Sequence, residues 1–145
     1  MWRCMMLTAI LGGVGATIVE AGETYAFLVA VGDYDVKQLR PLKYSRNDVL
    51  AFQERLVTSG VNPRNIVMMH DDLKRLASPR FLPESGRIRK EFDLLTSGLD
   101  EDDTLIAAFV GHGVQFKGDE SSYFCPADAD LEDPQRERLI SFAEI

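Results

Sequence analysis

The chain has 145 residues, the length of a single domain. Its 23 acidic residues outnumber 16 basic ones, giving a net charge of −7. That balance argues against a nucleic-acid ligand, whose phosphates require a basic face, and against an anionic membrane surface. Two histidines and two cysteines are too few and too scattered for a tetrahedral zinc site, so no metal ligand set is read from them.

Met1-Trp2-Arg3 carries one positive charge, and an apolar, charge-free run follows from Cys4 to Val19. Val19-Glu20-Ala21 then supplies small residues at cleavage spacing. The layout reads as a secretory signal peptide over residues 1–21, cleaved after Ala21, and implies an exported protein. A membrane anchor is the competing reading. The run is shorter than the roughly 20 residues a spanning helix needs, and Gly12, Gly13 and Gly15 interrupt it. Loss of Cys4 with the signal leaves only Cys125, so no internal disulfide is available.

The remainder, residues 22–145, reads as alternating strands and helices. Tyr25 to Val31 is a near-continuous apolar run ending at Gly32-Asp33, as in strands buried on both faces. A helix is expected to start at Asn47-Asp48. Val49, Phe52 and Leu56 share its apolar stripe, and Gly60 stops it as a left-handed cap. Asn65 to Met69 is a second strand, closed by His70-Asp71-Asp72. A ragged basic stretch follows to Pro83. A second helix starts near Glu84 or Ser85, with Ile88, Phe92 and Leu95 on one face, and Gly98 ends it.

Thr104 to Val110 is the third strand. Strands and helices in this order imply an α/β, three-layer sandwich with a mainly parallel sheet and right-handed crossovers. A small hairpin is then expected, Val114-Gln115-Phe116 turning through Gly118-Asp119-Glu120 to Ser122–Cys125. Ser141 with Glu144 three residues on has capping-box spacing. A third helix is expected to begin there, at the point where the chain stops, so the domain reads as C-terminally truncated. A sheet lacking later strands has a raw edge, through which self-association is expected.

The residue placed for chemistry is His112, in Gly111-His112-Gly113 at the end of the third strand. In open α/β sheets the carboxyl ends of the strands carry ligands and catalysis, and histidine moves protons near neutral pH. Gly113 is free to bring a backbone N–H close to a reacting group, as an oxyanion site needs. A structural, backbone-bonded histidine is the alternative.

Four stretches occur in one order: Tyr25 to Gly32, Leu42 to Asp48, Asp103 through Gly111-His112-Gly113 to Gln115, and Tyr123-Phe124-Cys125-Pro126-Ala127-Asp128-Ala129-Asp130. The series resembles the large-subunit half of the caspase-like cysteine peptidases, closest to the metacaspases, over essentially all of Thr24 to Ile145. The resemblance implies peptide-bond hydrolysis by a Cys–His dyad, with peptide or protein substrates. His112 would be its catalytic histidine and Gly113 its oxyanion-hole glycine. Asp48 would be an acidic residue of the pocket for an Arg or Lys side chain. An ordinary helix cap is the other reading of Asp48.

Three departures stand out. Val110 and Ser45 occupy positions where the family often has Ser and Cys. The third is the nucleophile, which in caspases lies about 50 residues after the histidine, whereas this chain ends at Ile145. Cys125, between Phe124 and Pro126, reads as a small buried hydrophobe. A non-catalytic caspase homologue acting as a binding or scaffold module is therefore the alternative function. No cofactor is expected, with one qualification: some metacaspases are calcium-activated, and Asp71, Asp72, Asp128, Asp130, Glu132 and Asp133 are the carboxylates that would gather around such an ion.

Overall fold

In a computed structural model, the described residues are 22–72 and 78–145. The signal peptide read over residues 1–21 and part of the basic stretch, including Lys74 and Arg75, lie outside them. Two elements, β1 (Thr24–Ala30) and β2 (Ile66–His70), pair in parallel, and β1 pairs in parallel with β3 (Thr104–Val110) on its other side. The sheet order is β2-β1-β3. Helices α1 (Ser45–Thr58) and α2 (Ser85–Thr96) form the crossovers.

The central strand explains the layering. Ala26 through Val31 are completely buried, so both faces of β1 are covered. Alternate residues serve different layers. Phe27, Val29 and Val31 join Met69, Ile88 of α2 and Phe124, whereas Ala26, Leu28 and Ala30 join Val49 and Leu56 of α1. A continuous apolar run with period-two division between two helical layers is the arrangement expected for a three-layer α/β/α sheet.

Two boundaries differ from the sequence reading. α1 starts at Ser45, two residues before Asn47, and Tyr44 precedes it without a side-chain cap. Ser45 is buried and its hydroxyl donates to the Leu42 carbonyl (3.3 Å), so the turn forms one residue-pair earlier than the Asx signal suggests. Asp48 is consequently inside the first turn and does not cap the helix. At the other end the expectation holds: Gly60 has φ of 102°, with Gly60 N–H on the Val57 carbonyl and Val61 N–H on the Leu56 carbonyl. This is the Schellman closure that favours glycine.

The second correction concerns the C-terminus. The helix expected from Ser141 does not form. Ile140–Ser141 is instead a short strand, β6, paired with β5 (Ser122–Phe124), which also pairs with β4 (Gly113–Gln115). The capping-box contacts exist, with Ser141 N–H directed at the Glu144 carboxylate (3.4 Å) and Ala143 N–H at the Ser141 hydroxyl (3.2 Å). They close a turn. Burial of Leu139 and Ile140 against the core (each 1 % exposed) holds this stretch extended, and one polar box does not outweigh that.

Candidate active site

All three parallel strands end at one rim. There β1 runs into Gly32-Asp33, β2 into Asp71 and β3 into Gly111-His112. Long-range polar contacts fasten this rim. The Asp71 carboxylate accepts the backbone N–H groups of Gly32 (2.7 Å) and Asp33 (2.6 Å) through Oδ2. Its Oδ1 lies 3.4 Å from Nε of Arg46, in the first turn of α1, and Arg46 also faces Asp33 at 3.7 Å. One ion triad thus ties β2, β1 and α1 together beside the site.

Gly111 is the tightest point. A Cβ there would lie 2.7 Å from the Phe124 ring and 2.9 Å from the Tyr34 hydroxyl, so only glycine fits. The close approach lets the next residue dock. His112 N–H donates to the Tyr34 hydroxyl (2.8 Å), and the two rings sit 5.1 Å apart, tilted by 48°. Burial pushes the Tyr34 hydroxyl up to about 12, while the bond from His112 opposes the shift. Tyr34 is therefore a neutral support for the histidine.

The imidazole is fixed by one further bond. Nε2 of His112 is 2.8 Å from the Arg40 carbonyl oxygen. A carbonyl only accepts, so Nε2 carries the proton and the neutral ring keeps its lone pair on Nδ1. No partner for Nδ1 is present among the described residues. A half-exposed ring, oriented through one nitrogen and open at the other, is equipped to take a proton from an incoming group.

Gly113 is exposed and opens β4. Cys125 N–H donates to the His112 carbonyl (2.9 Å), which makes Gly113 and Phe124 a non-hydrogen-bonded pair in the antiparallel ladder. The Gly113 N–H therefore points away from β5 and is not consumed by the sheet. Unlike Gly111, Gly113 has room for a Cβ, with its nearest contact at 3.5 Å. What Gly113 offers the rim is its backbone N–H.

Asp48 is exposed near the amino end of α1, the end that the crossover from β1 brings to this rim. Its carboxylate has no hydrogen bond or ion pair among the described residues. Cys125 is fully buried with Ala129 and Leu139, and burial pushes its thiol up to about 11. A reactive cysteine needs the opposite setting, exposed and electropositive. Cys125 is the one cysteine among the described residues.

Four of the six carboxylates considered for calcium already have structural work. Asp71 holds the rim, and Asp128 accepts the N–H and hydroxyl of Ser85 (2.7 and 2.9 Å), capping α2 from 43 residues away. Asp130 and Asp133 accept backbone N–H groups of their own turns. Among the described residues no three His, Cys, Asp or Glu side chains gather as a metal site.

The family model for the metacaspase, peptidase C14 domain matches residues 25–134. The chain belongs to this family. The match covers every parallel strand, both helices and the Gly111-His112-Gly113 rim of the metacaspase domain. No curated protein matches it. Its segment Cys125–Asp128 ties the domain's rim together: beyond the Cys125 and Asp128 contacts, Ala127 N–H donates to the Pro83 carbonyl (2.9 Å) and its carbonyl accepts Asp35 N–H (3.0 Å). Sequence reasoning identified this Pro-x-Asp-Ala-Asp stretch as a family feature without its physical role. It missed Tyr34 and the Arg40 carbonyl as supports of the histidine, and Asp71 as the tie between β1, β2 and α1. Tyr34 and Asp71 act across more than 35 residues, and a main-chain oxygen has no side-chain signature.

Proposed function

We propose that this chain supplies the base and the oxyanion donor of a cysteine-type endopeptidase site, cutting peptide bonds after Arg or Lys. His112 takes the thiol proton on Nδ1 as the sulfur attacks the scissile carbonyl, then returns it to the leaving amine. The Gly113 N–H receives the charge that develops on the carbonyl oxygen. Asp48 receives the cationic side chain before the cut through a charge-assisted hydrogen bond. The signal-like residues 1–21 support action outside the cytoplasm. The observation that carries the reading is the His112 ring, pinned through Nε2–H to the Arg40 carbonyl with Nδ1 unencumbered.

Cys125 is not the nucleophile in this reading, and the thiol comes from polypeptide other than residues 22–145. Burial of Cys125 equally favours a second reading, a metacaspase homologue that binds without cutting. Fluorogenic peptides with Arg or Lys before the reporter separate the two. The gene sequence after the Ile145 codon, read in every frame, provides any strand ending in Asp-x-Cys, and that segment is mixed or co-expressed with the chain. The expected result is no turnover by the chain alone, turnover on reconstitution, and its loss in His112→Ala. Asp48→Asn should raise KM for Arg peptides roughly tenfold, the weight of one hydrogen bond to a charged group. A reconstituted domain that stays inert while still binding Arg peptides overturns the peptidase reading in favour of the binding module.

A further inference from the structure

Among the described residues, Arg136 is the only one other than glycine with a left-handed backbone, at φ of 57°. Glycine or asparagine adopts that conformation more cheaply than arginine. A turn imposes it: Arg136 N–H donates to the Asp133 carbonyl (3.1 Å) and Leu139 N–H to the Arg136 carbonyl (3.0 Å). The side chain supplies the compensation. Its guanidinium lies 4.3 Å from the centre of the Phe116 ring and 5.2 Å from that of Tyr123, and it pairs with the Asp119 carboxylate. Nη1 also donates to the Tyr123 hydroxyl (2.9 Å), which donates in turn to Asp119 (3.0 Å). The other oxygen of Asp119 accepts Ser121 N–H (2.9 Å). Two aromatic rings, a hydroxyl and a carboxylate thus form a cage that fits a planar cation.

Phe116, Asp119 and Tyr123 all lie on the β4–β5 hairpin, whose first residue is Gly113. Each of its strands has three residues, and a hairpin that short is marginal by itself. The Gly113 peptide is oriented from both sides. On one side the His112 carbonyl accepts Cys125 N–H (2.9 Å). On the other, Val114 faces Tyr123, and the alternation of the ladder makes these two a hydrogen-bonded pair. Burial anchors Cys125, whereas Arg136 anchors the ring of Tyr123. The geometry points to Arg136 as a positioning residue for the Gly113 N–H, acting through Tyr123. Phe116, Asp119 and Tyr123 are then a guanidinium site that the chain fills with its own arginine. Emptied of that side chain, the cage accepts a free guanidinium ion. The positioning role rests on Gly113 being the oxyanion donor proposed above; the binding of guanidinium does not.

Arg136→Gly is the test, because glycine keeps the left-handed turn while emptying the cage. Amide hydrogen exchange on the full chain reads the hairpin. The Val114 and Tyr123 amides are expected to exchange about tenfold faster than in wild type, the weight of a lost hydrogen bond to a charged group. The amides of α1 and α2 should not change. Guanidinium chloride at about 50 mM, far below the molar range that unfolds proteins, is expected to restore the wild-type rates. Sodium chloride at the same concentration is not, and wild type should respond to neither. In the reconstituted peptidase, Arg136→Gly is expected to lower kcat roughly tenfold with KM unchanged, and guanidinium to restore it. Arg136→Lys covers a glycine variant that does not fold. It keeps the positive charge but loses the planar fork, so the same two amides should still exchange faster, by a smaller factor. Unchanged exchange in the variants, acceleration spread evenly over the chain, or failure of guanidinium to outdo sodium chloride would overturn the guanidinium site. An unchanged kcat beside altered exchange would overturn the positioning role. A reconstituted wild type without turnover counts against the peptidase reading instead, and the exchange rates then decide the cage by themselves.

Discussion

His112 and Cys125 are joined by a backbone hydrogen bond of 2.9 Å, yet their side chains occupy opposite environments. The histidine ring stands half-exposed at the rim of the parallel sheet, held by Tyr34 and the Arg40 carbonyl. The thiol is completely buried among Ala129, Leu139 and their neighbours. Adjacency along the main chain therefore does not make a catalytic pair. What separates the two regions is how each is stabilised. The rim relies on polar contacts between distant segments, and the cluster around Cys125 on exclusion of water.

The contrast can be broken most severely at Phe124, which packs beneath the histidine rim and immediately precedes Cys125. Its ring packs edge-on to Phe109 at 5.2 Å and fills the space against Gly111. Phe124→Ala should cost about 3–5 kcal/mol, as expected for truncating a buried aromatic, measured from urea unfolding. A loss below about 1 kcal/mol would mean that the rim does not depend on this packing.

A smaller effect is expected from the polar side. Asp128→Ala removes the two bonds to Ser85 and should cost about 1–2 kcal/mol, the range for a lost helix cap. Hydrogen exchange should localise the loosening to the first turn of α2 and to residues 125–129. Uniform loosening across the sheet would show that Asp128 does more than cap.

The smallest effect sharpens the comparison through pH. Cys125 and Tyr34 both hold their protons more tightly folded than unfolded, with values of about 11 and 12 against ordinary values of 9.0 and 10.0. The stability they contribute is fully present below the ordinary values. It is lost as pH rises through the folded ones. The urea midpoint should therefore decline from about pH 9 upward, and Cys125→Ala should flatten the first part of that decline. An unchanged decline in the variant would place its origin elsewhere.

How much of this was legible in the sequence follows the range of the forces involved. β3 has the same limits, Thr104–Val110, in the sequence reading and in the structure, because a continuous apolar run between an acidic turn and Gly111 leaves little choice. Gly60 was equally legible, since a left-handed helix end has few alternatives to glycine. The start of α1 was not, because a buried serine and its bond to Leu42 competed with a stronger-looking Asn-Asp signal. The turn at Ser141 misled in a different way. Its local capping pattern was real, but pairing with β5 and burial of Ile140 decided the conformation. Gly111-His112-Gly113 stood out in the sequence as a glycine-flanked histidine at a strand end. The supports of that histidine did not, because Tyr34 and the Arg40 carbonyl reach the rim only after the chain has folded.

The account turns on which imidazole nitrogen of His112 is free. A two-bond proton–nitrogen correlation spectrum of the folded chain, recorded where the ring is neutral, reads this directly. The structure predicts a protonated Nε2 and a bare Nδ1, a pattern that weakens when Tyr34→Phe removes the acceptor of the His112 N–H. A ring protonated on Nδ1 with Nε2 bare would contradict the bond to Arg40 and remove His112 from the proposed role of base.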